Sequence, residues 1–220
     1  MGFFVNIYIM KFIETFGRFA TKDILIIVDV QKSFRKFFSE MYVEELKKYC
    51  NNFKEVYQLF DNHIVGKHPD LDYLYSDDPK IPVHKDLYHF PNQKDIIEKR
   101  YNYDVDSHFY KKILSKDTFR EIKEKEENNS LKRGDIFPTK EGTFIVFIGN
   151  KHRWFHVPRK LSKIFNNLKE AQSEKSTKVT IVGGADSECL TDITTYAESL
   201  GLQVNRDWKY IYTASSCPIK

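Results

Sequence analysis

The stretch from Lys178 to Gly201, KVTIVGGADSECLTDITTYAESLG, limits what this chain can fold into more than any other. Val179, Thr180, Ile181 and Val182 form a short β-branched run, the pattern of a buried strand. Gly183 and Gly184 then turn the backbone where a Cβ would clash. Ala185–Glu188 is expected to make an elbow. From Cys189 onward, Leu190, Ile193, Thr194, Ala197 and Leu200 recur at helical spacing until Gly201 stops the helix. Cys189 therefore follows a strand and a glycine turn at the mouth of a helix. There, backbone N–H groups and the helix dipole favour a thiolate and could also hold an oxyanion. The same position equally suits a small buried cysteine that does nothing chemical. Other residues have to decide.

The first of these is Asp29, which interrupts the apolar run Ile24–Val30, ILIIVDV. Runs without polar alternation belong to strands covered on both faces, as in parallel sheets layered by helices. Gln31 to Phe38 should loop away, and Val43 to Phe53 has helical spacing. A strand from Glu55 to Phe60 leads into Asp61-Asn62-His63, and a polar loop follows over 64–95. Ile96 to Lys99 is a third strand, and Tyr101 to about Asn129 is charged and helical in character. Lys140-Glu141-Gly142 lies between two strand-like runs, which predicts a hairpin. After Pro158 a helix is expected over Arg159–Ala171, and a last strand around Leu202–Val204. Alternating strands and helices argue an α/β fold with a mainly parallel sheet. In such sheets ligands bind beyond the carboxyl ends of the strands. Asp29, Asp61 with His63, Lys99 and Cys189 each fall at such an end.

Composition excludes several classes. The chain has 220 residues, 30% charged, with 18 Phe and 13 Tyr, which describes a globular chain rather than a disordered one. A net charge of +4 is too small to argue for a nucleic-acid partner. Cys50, Cys189 and Cys217 show neither disulfide nor metal spacing, which suits a reducing, cytoplasmic compartment. No apolar run reaches the length of a membrane span. The apolar opening lacks a basic region and a cleavage site, so residues 1–22 are expected to be an N-terminal extension packing on a single domain.

Five segments together resemble the isochorismatase-like cysteine hydrolases, and among them the nicotinamidases. They are VDVQKSF from Val28, FDNH from Phe60, PVH at Pro82–His84, IIEKRY from Ile96, and VGGADSECLTDITTYAESLG from Val182. The last matches the family frame at Gly183, Ala185, Cys189, Ala197 and Gly201. The resemblance implies a three-layer α/β/α fold and a catalytic triad of Asp29, Lys99 and Cys189. Asp29 would take the thiol proton, and Lys99 would hold the carboxylate and favour the thiolate. The N–H groups of Ala185 and Cys189 would form the oxyanion hole, with a cis peptide entering Ala185. Asp61, His63 and His84 would hold a divalent metal, with zinc first and iron or manganese as alternatives, and His68 or His89 could replace His84. The expected partner is a small-molecule amide, with nicotinamide first, and the protein could form a homo-oligomer. The alternatives are an amidase for a ureido or carbamoyl substrate, or a binding protein that kept the fold without the chemistry.

The chain departs from the family between Lys99 and Cys189, which are 90 residues apart, about twice the usual separation. An insertion over about 103–155 is expected, containing the hairpin. Between Leu131 and Lys163, eight Lys and Arg face two acids, so the basic character concentrates here. No nucleic-acid module accompanies this charge. Trp154 and Phe155 are instead expected to pack over the site as a lid, or to make an oligomer contact.

Overall fold

In the computed structural model, residues 24–61, 86–102, 108–149, 154–172 and 178–213 are described. In chain order they form β1 (Ile24–Val28), α1 (Glu40–Cys50), β2 (Glu55–Asp61), β3 (Gln93–Asn102), α2 (His108–Ile113) and α3 (Lys116–Glu127). Then come β4 (Ile136–Pro138), β5 (Phe144–Phe147), β6 (Trp154–Val157), α4 (Arg159–Gln172), β7 (Lys178–Gly183), α5 (Thr191–Ser199) and β8 (Gln203–Ile211).

The middle strand explains the layering. Successive side chains of a strand point to opposite faces. Ile24, Ile26 and Val28 join Leu161 and Phe165 of α4 and Ile193 and Ala197 of α5 in one core. Leu25 and Ile27 join Val43, Leu46 and Cys50 of α1 in another. The run lacks polar alternation because neither face meets water. Helix α1 begins where Ser39 Oγ accepts from the Tyr42 N–H at 3.2 Å, which satisfies one of the N–H groups the helix leaves over.

One sheet of eight strands results, in the order β4-β5-β6-β3-β2-β1-β7-β8. The five strands from β3 to β8 run parallel to their neighbours. This is a three-layer α/β/α architecture with a mainly parallel central sheet. β3 serves two partners. Its first part pairs parallel with β2 as far as Lys99, and Arg100–Asn102 pairs antiparallel with β6. Strands β4, β5 and β6 extend the sheet antiparallel from there.

That extension alters two expectations, and the opposite edge of the sheet a third. Tyr101 and Asn102 finish a strand, and the helices of this region occupy His108–Ile113 and Lys116–Glu127. Trp154 and Phe155 are not a lid. Both are fully buried on opposite faces of β6, Phe155 in the core under α4 and Trp154 among Tyr110, Ile122, Phe137 and Phe147. A run of aromatics beside bases looks like a surface patch only until period two divides it between two interiors. β8 also runs well past Val204. Opposite β7, Arg206 pairs with Ile181 and Ile211 with Gly183, so the intervening residues form an irregular bulge. No described helix is long and apolar enough to cross a membrane.

Candidate active site

Parallel register sets the carboxyl ends of four strands side by side. Val28 lies opposite Leu59 and Gly183, and Asp61 lies opposite Lys99. Asp29 follows β1 directly, with φ 53, in the left-handed region that short polar residues tolerate best. Its N–H donates to Leu59 O at 2.9 Å, and its carbonyl accepts the Tyr212 hydroxyl at 2.8 Å. Lys99 stands on β3, two strands and roughly 10 Å of sheet from β1. Its long side chain crosses above β2 and its ammonium donates to Asp29 Oδ2. Both side chains are shut from solvent, at 0% and 2% exposure, so each charge depends on the other.

Burial is the main force on Asp29 and raises its pKa to about 6, against the opposing pull of Lys99. The charge of Asp61 raises it further, and the Cys189 thiol draws it down, so both side chains act at close range. Burial works against the Lys99 ammonium. The negative charges of Asp29, Cys189 and Asp61 outweigh it and hold the lysine above its ordinary value. A carboxyl group poised near neutrality beside a thiol is suited to take that proton and return it.

The elbow carrying Cys189 is built by close approach. Gly183 has φ 100, and a Cβ there would fall 2.0 Å from Val28 O. The Gly184 N–H donates to Val28 O at 3.0 Å, and the Gly184–Ala185 peptide is cis, where the resemblance put it. Asp186–Leu190 then forms one wide turn, closed by Leu190 N–H to Ala185 O at 3.2 Å. Helix α5 begins only at Thr191, so Cys189 lies on this turn and not in the helix proper. Glu188, with φ −121 and ψ −105, breaks the helical path just before it. The N–H groups of Gly184, Asp186, Glu188 and Leu190 all donate to backbone carbonyls. Among the described residues no backbone carbonyl accepts from Ala185, one of the two expected oxyanion donors. Cys189 is partly exposed, whereas Cys50 is buried under α1 with its thiol pushed up to about 12 by desolvation. One cysteine can react; the other packs.

Of the expected metal ligands, Asp61 closes β2 beside the Asp29–Lys99 pair, while His63, His84 and the alternative His68 lie outside the described residues. His89 is placed elsewhere. It lines a cleft of about 390 Å³ with Phe90, Gln93 and Asp95, at the amino end of β3. Six residues of strand, roughly 20 Å, separate that end from Lys99, so His89 cannot share an ion with Asp61. Among the described residues no group of three His, Cys, Asp or Glu could hold a metal.

Two features escaped the sequence. Gln31 grips Asp61 at both backbone groups, accepting its N–H at 2.9 Å and donating to its carbonyl at 3.1 Å. Gln31 is held in turn by the buried carboxylate of Asp86 at 2.5 Å, which also takes the Ser33 N–H at 2.7 Å and hydroxyl at 2.9 Å. The alternation Asp29, Gln31, Ser33 is the one signal that could have found Gln31, whereas Asp86 is one acid among several in a polar loop. The second feature is Tyr212, buried against Phe37 and Phe38 just beyond the last strand.

No family model matches the chain, and no curated protein does. Among solved structures it is similar to the crystal structure of the nicotinamidase from Staphylococcus aureus, at 14% identity and a TM-score of 0.36, covering 89% of this chain and 88% of that one. A likeness at this level decides nothing about activity, which has to be judged from the site's own geometry.

Proposed function

We propose that the protein is an amidohydrolase with Cys189 as nucleophile, and that nicotinamide is the substrate to test first. The observation that carries this reading is the buried Lys99–Asp29 pair at the carboxyl ends of the sheet, with the Cys189 thiol acting on the same carboxylate. A structural ion pair has no need of a partly exposed thiol on a glycine-led turn beside it. A cysteine nucleophile needs both a base and a positive charge.

In the proposed reaction Asp29 takes the thiol proton while sulfur attacks the amide carbon. The oxyanion is held by the N–H groups of Ala185 and Cys189. As the carbon–nitrogen bond breaks, the Asp29 carboxyl returns its proton to the leaving nitrogen, and ammonia departs. Water then attacks the thioester, giving up a proton to Asp29, and the acid is released as the thiol re-forms. Lys99 stays charged throughout and keeps Asp29 in place. Asp61 is a fitting metal ligand, a carboxylate at a strand end whose backbone Gln31 holds at two points. A divalent ion held by Asp61 with His63 and His84 would supply a Lewis-acidic anchor for the pyridine nitrogen.

Ammonia release from nicotinamide, followed with and without a chelator, tests the proposal. Wild type should turn over, and Cys189→Ala should be slower by at least about a thousandfold. Equal background in the two would end the catalytic reading and leave a binding protein on the same fold.

A further inference from the structure

Among the described residues Tyr212 makes three hydrogen bonds, and all three end on the walls of the site. Its N–H donates to Gly183 O at 2.9 Å, its carbonyl accepts the Asp186 N–H at 3.1 Å, and its hydroxyl donates to Asp29 O at 2.8 Å. The first two bracket the Gly184–Ala185 step from both sides. The third reaches across to the base. The ring lies flat against the elbow, so that a Cβ on Gly184 would meet it at 2.6 Å. Behind it stand Phe37, stacked at 6.2 Å, Phe38 at 5.1 Å and Tyr42 edge-on at 6.4 Å.

That aromatic nest would suit phenylalanine equally well, so packing does not account for the hydroxyl. A buried hydroxyl needs a partner, and this one meets the carbonyl of the residue that most needs holding. Asp29 is a non-glycine residue at positive φ, a conformation that persists only where its surroundings impose it. Leu59 holds its N–H and Tyr212 its carbonyl. Because the same tyrosine also ties down the turn leading to Cys189, it links base and nucleophile elbow through one rigid side chain.

We infer that Tyr212 is a positioning residue, its hydroxyl holding the Asp29 backbone in register with the turn that carries Cys189. This rests on the Asp29–Lys99–Cys189 reading, but its test need not depend on the substrate. The full chain, Tyr212→Phe and Tyr42→Phe are compared for the rate of Cys189 alkylation by iodoacetamide across pH, read by mass spectrometry, and for kcat and KM with nicotinamide. Tyr42 is a partly buried neighbour whose hydroxyl donates to Tyr210 O at 2.9 Å, away from Asp29, and Tyr42→Phe controls for general loosening. Tyr212→Phe keeps the ring, and a thermal melt close to wild type checks that it folds. The expected result is alkylation about tenfold slower at neutral pH with a displaced pH midpoint, and a similar fall in kcat with KM little changed. Tyr42→Phe should track wild type. A Tyr212→Phe profile superimposable on wild type overturns the inference, as does an equal displacement in Tyr42→Phe. Should wild type release no ammonia from nicotinamide while Tyr212→Phe still displaces the alkylation profile, the positioning role stands and the nicotinamidase reading falls.

Discussion

The parallel and antiparallel parts of the sheet bury different things. Around β3, β2, β1 and β7 the carboxyl ends enclose an ion pair, a carboxylate at Asp86 and a glutamine, all shut from water. Around β4, β5 and β6 the interior is Tyr110, Ile122, Phe137, Ile145, Phe147 and Trp154, with α2 and α3 laid over it. Among its buried polar side chains Thr139 bonds Thr143 at 2.8 Å and Thr143 bonds His156 at 3.0 Å. The difference follows from strand direction. Parallel strands all finish on one side, so residues far apart in the chain meet there. Antiparallel neighbours finish on alternate sides, joined by tight turns, and no such gathering occurs. The extension therefore buries mainly hydrocarbon, and the parallel half gathers buried charge at some cost in stability.

The sharpest way to break that contrast is Lys99→Met. It leaves the Asp29 carboxylate buried without its partner, so kcat/KM should fall by about a thousandfold and stability by about 3–5 kcal/mol in urea titration. Adding Asp29→Asn should restore most of the stability and none of the activity. Recovery of turnover in the double variant would remove the pair from the mechanism.

Trp154→Ala should reverse the pattern. The side chain is wholly buried, and its loss should cost about 3–5 kcal/mol, yet protein kept folded at low temperature should retain kcat/KM within about twofold. A large kinetic loss would mean that the extension does more than pack.

The pH profile separates the halves more gently. Asp29 must be ionised to accept the thiol proton, and its pKa is raised to about 6, so kcat/KM should decline about tenfold per unit below that point. Stability moves the other way. An acid whose folded value lies above its ordinary 3.8 favours folding while protonated, and that contribution fades as pH rises from about 4 through about 6. An acid limb near pH 4 would show that burial does not raise Asp29 in the working protein. The smallest effect is expected at the surface: Lys160, exposed and paired with Asp95 at 2.8 Å, should cost no more than about 0.5 kcal/mol when replaced by alanine.

Much of the parallel half was legible in the chain. An apolar run without alternation, ending in Asp29, can be little other than a strand covered on both faces. Two glycines before Cys189 mark a turn that tolerates no side chain, and the structure places Val28 O where a Cβ would go. The helix after Pro158 is also where its periodicity puts it. The extension was misread because Trp154-Phe155 carries no sign of which interior each ring enters, and because β3 changes partner in mid-strand after Lys99.

Sequence by itself determined the strand–turn–helix unit at Cys189 and the polar residues closing each strand, because steric rules and hydrophobic period act over a few neighbouring residues. Tertiary structure alone decided that Lys99 reaches over β2 to Asp29, that Asp86 holds Gln31, and that Tyr212 ties Asp29 to the elbow. These contacts join residues up to 183 positions apart. They exist because burial removes the water that would otherwise satisfy each polar group, and only the folded sheet determines which distant partner takes its place.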